Sequence, residues 1–186
     1  MILHIKNMVS GRCKLTLEKA LNTLGLAHGE IELGEVEIYG KVGNEIYGAL
    51  RTALLETGLE LISGKKELLI ERIKQIVIEM VHYHTPLPKV KNSDYLSEKT
   101  SHDYTYLANV FSEATGMTIE HFIICHKIER AKELIVDNEL NLTEISYLLN
   151  YSSVAHLSNQ FKQITGLTAT GFKNSPMHYR TALENI

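Results

Sequence analysis

The sequence predicts an α+β protein in two parts, a sheet-bearing front third and a helical remainder. Three observations carry this expectation. Apolar and charged residues alternate strictly in Glu30-Ile31-Glu32-Leu33 and Glu35-Val36-Glu37-Ile38, the pattern of half-buried strands. After Gly64-Lys65-Lys66 that alternation stops, and apolar residues recur at helical spacing instead. Finally, the stretch from Leu107 to Thr118 recurs from Leu157 to Thr168, offset by 50 residues.

The front part reads element by element. Ile2-Leu3-His4-Ile5 is apolar and β-prone, and a loop from Asn7 to Gly11 follows. Residues 13–24 place Cys13, Leu17, Ala20, Leu21 and Leu24 at helical spacing, and Gly25 should end that helix. Two short strands come next, parted by Gly34. Asn44 is expected to cap a second helix running to Thr57, with Ile46, Leu50, Ala53 and Leu54 on one face. Gly58 should end it, and Leu59-Glu60-Leu61-Ile62 makes a last strand. The order over residues 1–63 is βαββαβ, the split, ferredoxin-like unit, with both helices on one face of an antiparallel sheet.

Residues 64–88 read as a connecting helix, with Leu68-Leu69, Ile73, Ile76-Val77 and Met80-Val81 in phase, broken at Thr85-Pro86-Leu87-Pro88. From 89 to 180 the pattern is all-helical, with breaks near Ser101, Gly116, Asn138 to Leu142, Tyr151 and Gly166. Each copy of the repeat is preceded by a short helix and a turn, so one supersecondary unit occurs twice, joined by a long helix at about 118–137. A helix-turn-helix places its second helix in the DNA major groove while the first crosses the backbone. In the second copy Thr143 is expected to cap the support helix, Asn150-Tyr151-Ser152 forms the turn, and Ser153 caps the reader helix. Leu157 and Phe161 then point inward at i, i+4. In the first copy Asp103 is expected to cap the reader helix.

Several separated blocks in this half resemble the AraC family of transcription regulators. They are Lys127-Ile128-Glu129-Arg130-Ala131-Lys132-Glu133-Leu134-Ile135, then Thr143-Glu144-Ile145, then Tyr151-Ser152-Ser153-Val154-Ala155-His156-Leu157-Ser158-Asn159-Gln160-Phe161-Lys162, and finally Thr165-Gly166-Leu167-Thr168. The resemblance covers residues 70–175. It implies double-stranded DNA as partner and two helix-turn-helix subdomains in neighbouring major-groove segments. Carried over by position, base-edge contacts fall to Val154, Ala155, Ser158 and Asn159 in the second reader and to Thr105, Ala108 and Asn109 in the first. Tyr104, Tyr106, His156 and Lys162 fall nearer phosphates. Three positions depart from the family pattern. Ser146 stands for the usual small residue, Asn150 for the turn glycine, and Ala169 for the proline that opens the last helix. Neither reader carries an Arg among these base-facing positions, although Arg to guanine is the commonest specific contact. Asn pairs with adenine, and Val or Ala touches a thymine methyl, so an A·T-leaning site of modest affinity is expected.

The front βαββαβ order, with Asn7-Met8-Val9-Ser10-Gly11-Arg12-Cys13 after the first strand, resembles the heavy-metal-associated domains of copper chaperones. Those domains carry two cysteines in this loop, which hold a soft ion. Here Ser10 stands where the first would be, leaving Cys13 alone. The expectation is a domain without a metal ion, used for dimerisation or for sensing a small molecule, a metal or a protein. The alternative is a soft-metal sensor or chaperone-like protein built on Cys13. His82-Tyr83-His84 reads as a solvated helix end, because i and i+2 point to different helix faces, and Cys125 is expected to pack on the long helix beside His126.

Composition bounds the rest. The formal net charge is −3, and from residue 66 onward 12 Lys and Arg face 14 Asp and Glu, so the helical half is not a basic domain. DNA binding would then rest on a few placed cations, helix N-termini and polar side chains, or on a homodimer. The chain shows no phosphate-cradling glycine loop, nucleophile elbow or His-Glu-x-x-His pattern, so an enzyme is not expected, nor a cofactor. Without an apolar run of 18 residues or a secretory leader, and with only two cysteines, the expected setting is cytoplasmic and reducing.

Overall fold

The computed structural model describes residues 1–62, 64–83, 87, 90–175 and 180–186. His84, and Thr85, Pro86 and Pro88 of the expected break, lie outside the described residues. The chain forms two compact units, Met1–Gln75 and Ile76–Ile186.

The first unit contains β1 (Ile2–Lys6), α1 (Gly11–Thr23), β2 (His28–Glu32), β3 (Glu35–Ile38), α2 (Asn44–Leu55), β4 (Glu60–Ile62) and most of α3 (Lys65–Ile78). The strands form one sheet in the order β2-β3-β1-β4, every neighbour antiparallel. β1 and β2 both oppose β3, so they run the same way with β3 between them. Leu3 lies opposite Val36, and His4 lies between Glu35 and Ile62. This register sends Leu3, Ile5, Val36 and Ile38 into one core with Leu17 and Leu21 of α1 and Leu50 and Leu54 of α2. Glu35 and Glu37 remain on the exposed face.

Local physics explains the ends and corrects two expectations. After α1 the N–H of Leu26 donates to Leu21 O (3.0 Å) and that of Gly25 to Asn22 O (3.1 Å), with Gly25 at φ 65°. This closure satisfies carbonyls the helix leaves open, and it needs a left-handed residue. The helix begins at Gly11, two residues before the expected start at 13, with Ser10 in the cap position. Asn44 does not cap α2: a cap needs extended backbone, which Gly43 supplies (φ −70°, ψ 155°), and Asn44 is already helical. Ile46 is exposed, while Tyr47 packs against the core in line with Leu50 and Leu54. Met8, in the loop that resembles a metal motif, is 1% exposed and belongs to the core.

In the second unit a π-helical turn (Glu79–Tyr83) follows α3, and then α4 (Asn92–Thr100), α5 (Tyr104–Thr115), α6 (Ile119–Asp137), α7 (Leu142–Leu148), α8 (Val154–Thr165) and α9 (Ala169–Lys173). The breaks fall where expected: Ser101, Asn138 and Asn150 take φ between 52° and 57°, and Gly116 and Gly166 both take 75°. The long helix α6 is shared. Ile128, Ala131 and Ile135 of α6 join Ile145, Leu157, Phe161 and Phe172 in one cluster, and Phe122 packs on Phe111.

Candidate nucleic-acid interface

Each expected reader helix is built on the same frame. In α8 the Ser153 hydroxyl accepts the His156 N–H (3.1 Å), and Leu157 and Phe161 are buried. In α5 the Asp103 carboxylate accepts the N–H groups of Thr105 (2.8 Å) and Tyr106 (3.3 Å), and Leu107 and Phe111 are buried. Both caps are the expected residues, and they orient the first turns, where base contacts would be made.

The repeat holds at the level of single atoms. Thr115 and Thr165 donate to the carbonyls of Phe111 (2.8 Å) and Phe161 (2.7 Å). They accept from the N–H groups of Met117 (3.4 Å) and Leu167 (3.1 Å). Thr118 caps α6 through His121 N–H (3.1 Å), and Thr168 caps α9 through Gly171 N–H (3.0 Å). Phe111 packs on Phe122 with ring centroids 5.3 Å apart, and Phe161 on Phe172 at 5.6 Å. The repeat therefore runs on to Phe122 and Phe172, beyond the 12-residue match noticed in the sequence. Continuing the 50-residue offset by four positions would have found this pair.

The support helix α7 is capped by Asn141 and not by Thr143. Asn141 Oδ1 accepts from the N–H groups of Thr143 (2.9 Å) and Glu144 (3.0 Å), and Glu144 in turn accepts the Asn141 N–H (2.7 Å). This reciprocal box satisfies more open donors than a hydroxyl at 143 could. Ser146 is buried, and its hydroxyl donates to Thr143 O (2.8 Å), so the position accepts a small side chain that carries its own partner.

The residues assigned to DNA by position divide by exposure. Thr105, Asn109, Ala155, His156, Asn159 and Lys162 are exposed, and Tyr104, Ala108, Val154 and Ser158 are half-buried at the helix margins. At the second turn, Ser152 Oγ and His156 Nδ1 are 3.0 Å apart, the His156 and Tyr151 rings meet edge-on at 5.2 Å, and the Lys127 ammonium lies 5.3 Å from the Tyr151 ring centroid. Burial pushes the Lys127 ammonium below, and the Tyr151 hydroxyl above, their ordinary ranges. In the first reader, Tyr106 stacks on His102 at 5.7 Å. The Tyr104 hydroxyl donates to the Glu120 carboxylate, and burial and that carboxylate together raise its pKa.

One expectation about titratable side chains turns out differently. His82 is not a solvated helix end. Its Nε2 is 3.2 Å from Nδ1 of His126, which is fully buried and packs edge-on against Phe122 at 4.5 Å. Cys13 is half-buried, with its Sγ 3.6 Å from Ser10 Oγ and 3.8 Å from Asn7 O. Among the described residues no group of three or more His, Cys, Asp or Glu side chains is placed to hold a metal ion, and no helix is long and apolar enough to cross a membrane.

Residues 96–175 match the profile of a family described as "Helix-turn-helix domain". Over 93 residues, half of this chain, it is 29% identical to a Staphylococcus aureus protein called an uncharacterized HTH-type transcriptional regulator, of which it spans 12%. Over 144 residues it is 22% identical to the Msm operon regulatory protein of Streptococcus mutans, covering 76% of this chain and 47% of that protein. In structure it is similar to the C-terminal domain of AraT, a response regulator from Geobacillus stearothermophilus (TM-score 0.51, 19% identity, 61% of this chain and 90% of that one). Residues 96–175 of this chain thus match a helix-turn-helix profile, and they form two equivalent units on one shared helix.

Proposed function

We propose that this chain is a transcription regulator of the AraC type that binds double-stranded DNA in a sequence-dependent way. The observation that carries this reading is the twofold repeat of a capped reader helix behind a support helix, inside the segment that matches the helix-turn-helix profile. Val154, Ala155, Ser158 and Asn159 of α8 read base edges, and Thr105, Ala108 and Asn109 of α5 hold the equivalent positions in the first unit. Tyr104, His156 and Lys162 contact the backbone. The front unit, with its four-stranded antiparallel sheet, controls occupancy as a dimerisation or sensing module and works without a bound metal.

The test is selection of bound fragments from random duplex DNA by the whole chain at low salt. An enriched, A·T-leaning sequence is expected, and Asn159→Ala should weaken binding to it by roughly 5- to 150-fold, the ~1–3 kcal/mol of one base contact. If no sequence is enriched, the reading fails.

A further inference from the structure

The two readers share a frame but not a charge. Residues 92–116 carry four carboxylates, Asp94, Glu98, Asp103 and Glu113, against one cation, Lys99. The equivalent residues 142–166 carry one of each, Glu144 and Lys162. At matched positions around the reader helices the difference is systematic: Asp103 answers to Ser153, Ser112 to Lys162, Glu113 to Gln163, and Glu120 to Thr170. All the carboxylates among these are on exposed residues, and Glu120 holds the hydroxyl of Tyr104, a residue placed near phosphates. From Ile145 to Lys173 no carboxylate occurs at all.

A phosphate backbone makes this asymmetry matter. Affinity for duplex DNA depends on neutralising phosphates, and like charges in that position oppose approach. Both caps do the same structural work, but Asp103 brings a negative charge to the end of α5 that would be turned toward DNA, whereas Ser153 brings none to α8. We infer that the two units are unequal: α8 anchors the chain and supplies the sequence preference, while the acidic surround of α5 keeps the first reader weakly engaged. The inference rests on the DNA-binding reading above and deepens it.

The experiment compares three whole-chain proteins by selection from random duplex DNA and by binding at about 0.1 M salt. For the unaltered chain the selected sequence should hold one informative block, lost in the reciprocal variant Ser153→Asp/Lys162→Ser/Gln163→Glu together with most of the affinity. Giving α5 the residues of α8, in Asp103→Ser/Ser112→Lys/Glu113→Gln, should tighten binding about tenfold and steepen its salt dependence by the roughly 0.9 expected for one added phosphate contact. It should also add a second block about one turn of DNA, roughly 10 bp, from the first. Ser at 103 keeps a cap, so folding is preserved, and thermal unfolding of each variant verifies it. Two equally informative blocks for the unaltered chain, or a folded α5 variant with unchanged affinity, would overturn the inequality while leaving DNA binding intact. No enriched sequence for the unaltered chain would overturn both.

Discussion

Asn141 shows how one short side chain sets the frame of the second unit. It receives two backbone N–H groups of α7 while Glu144 returns the bond. Asn141→Ala should therefore cost about 1 kcal/mol, typical for a lost N-cap, and should lower the thermal midpoint without altering the sheet-bearing unit. The His82–His126 pair carries a different sensitivity. One ring must supply an N–H and the other a lone pair, so protonation of both rings would leave two donors facing each other at 3.2 Å. Burial lowers the His82 pKa to about 4; Glu133 opposes the shift, and Arg130 and Arg180 add to it. In the unfolded chain His82 titrates near the ordinary 6.5 of a histidine. Between these values the unfolded state holds the extra proton, so stability is unaffected above pH 6.5 and falls as the pH drops toward 4. At its full extent the loss is on the order of 3 kcal/mol, and denaturant unfolding at pH 7.5 and 5 should show it beginning. His82→Gln should flatten that dependence.

At the scale of elements, the Phe111–Phe122 and Phe161–Phe172 pairs bind each reader helix to the helix that follows it. Phe161→Ala should destabilise the helical unit by about 3–5 kcal/mol, read by urea unfolding, because it empties a fully buried site. Much of this frame was legible in the sequence. Leu157 and Phe161 lie at i, i+4, and Gly116 and Gly166 mark helix ends where left-handed backbone is needed. The alternating Glu and apolar residues of β3 announced a strand with one wet face. Other features were not legible, for stated reasons. Choosing between Asn141 and Thr143, or Gly43 and Asn44, turns on which residue stays extended, and neighbours of similar propensity do not reveal that. The His82–His126 contact joins residues 44 apart through packing, so the local i, i+2 spacing of His82 and His84 pointed to solvent. The site residues follow from the repeat and from resemblance; their exposure is geometry, and no composition signal marks them.

The whole molecule combines a four-stranded unit and a helical unit of opposite design. The first builds its core from non-local strand pairs, the second from helices adjacent in sequence around α6. With a net charge of −3 the chain has no general attraction for nucleic acid, so whatever binding it has must come from placed groups more than from bulk charge. A protein of this kind should discriminate strongly between sequences and fall off quickly on random duplex. Sequence-dependent binding is therefore measured by titrating the whole chain against its selected duplex and a scrambled duplex of equal length and composition, at the same salt. The selected duplex is expected to bind at least about a thousandfold tighter, the lower end of the range for specific DNA binders. Equal affinity for the two duplexes would contradict it.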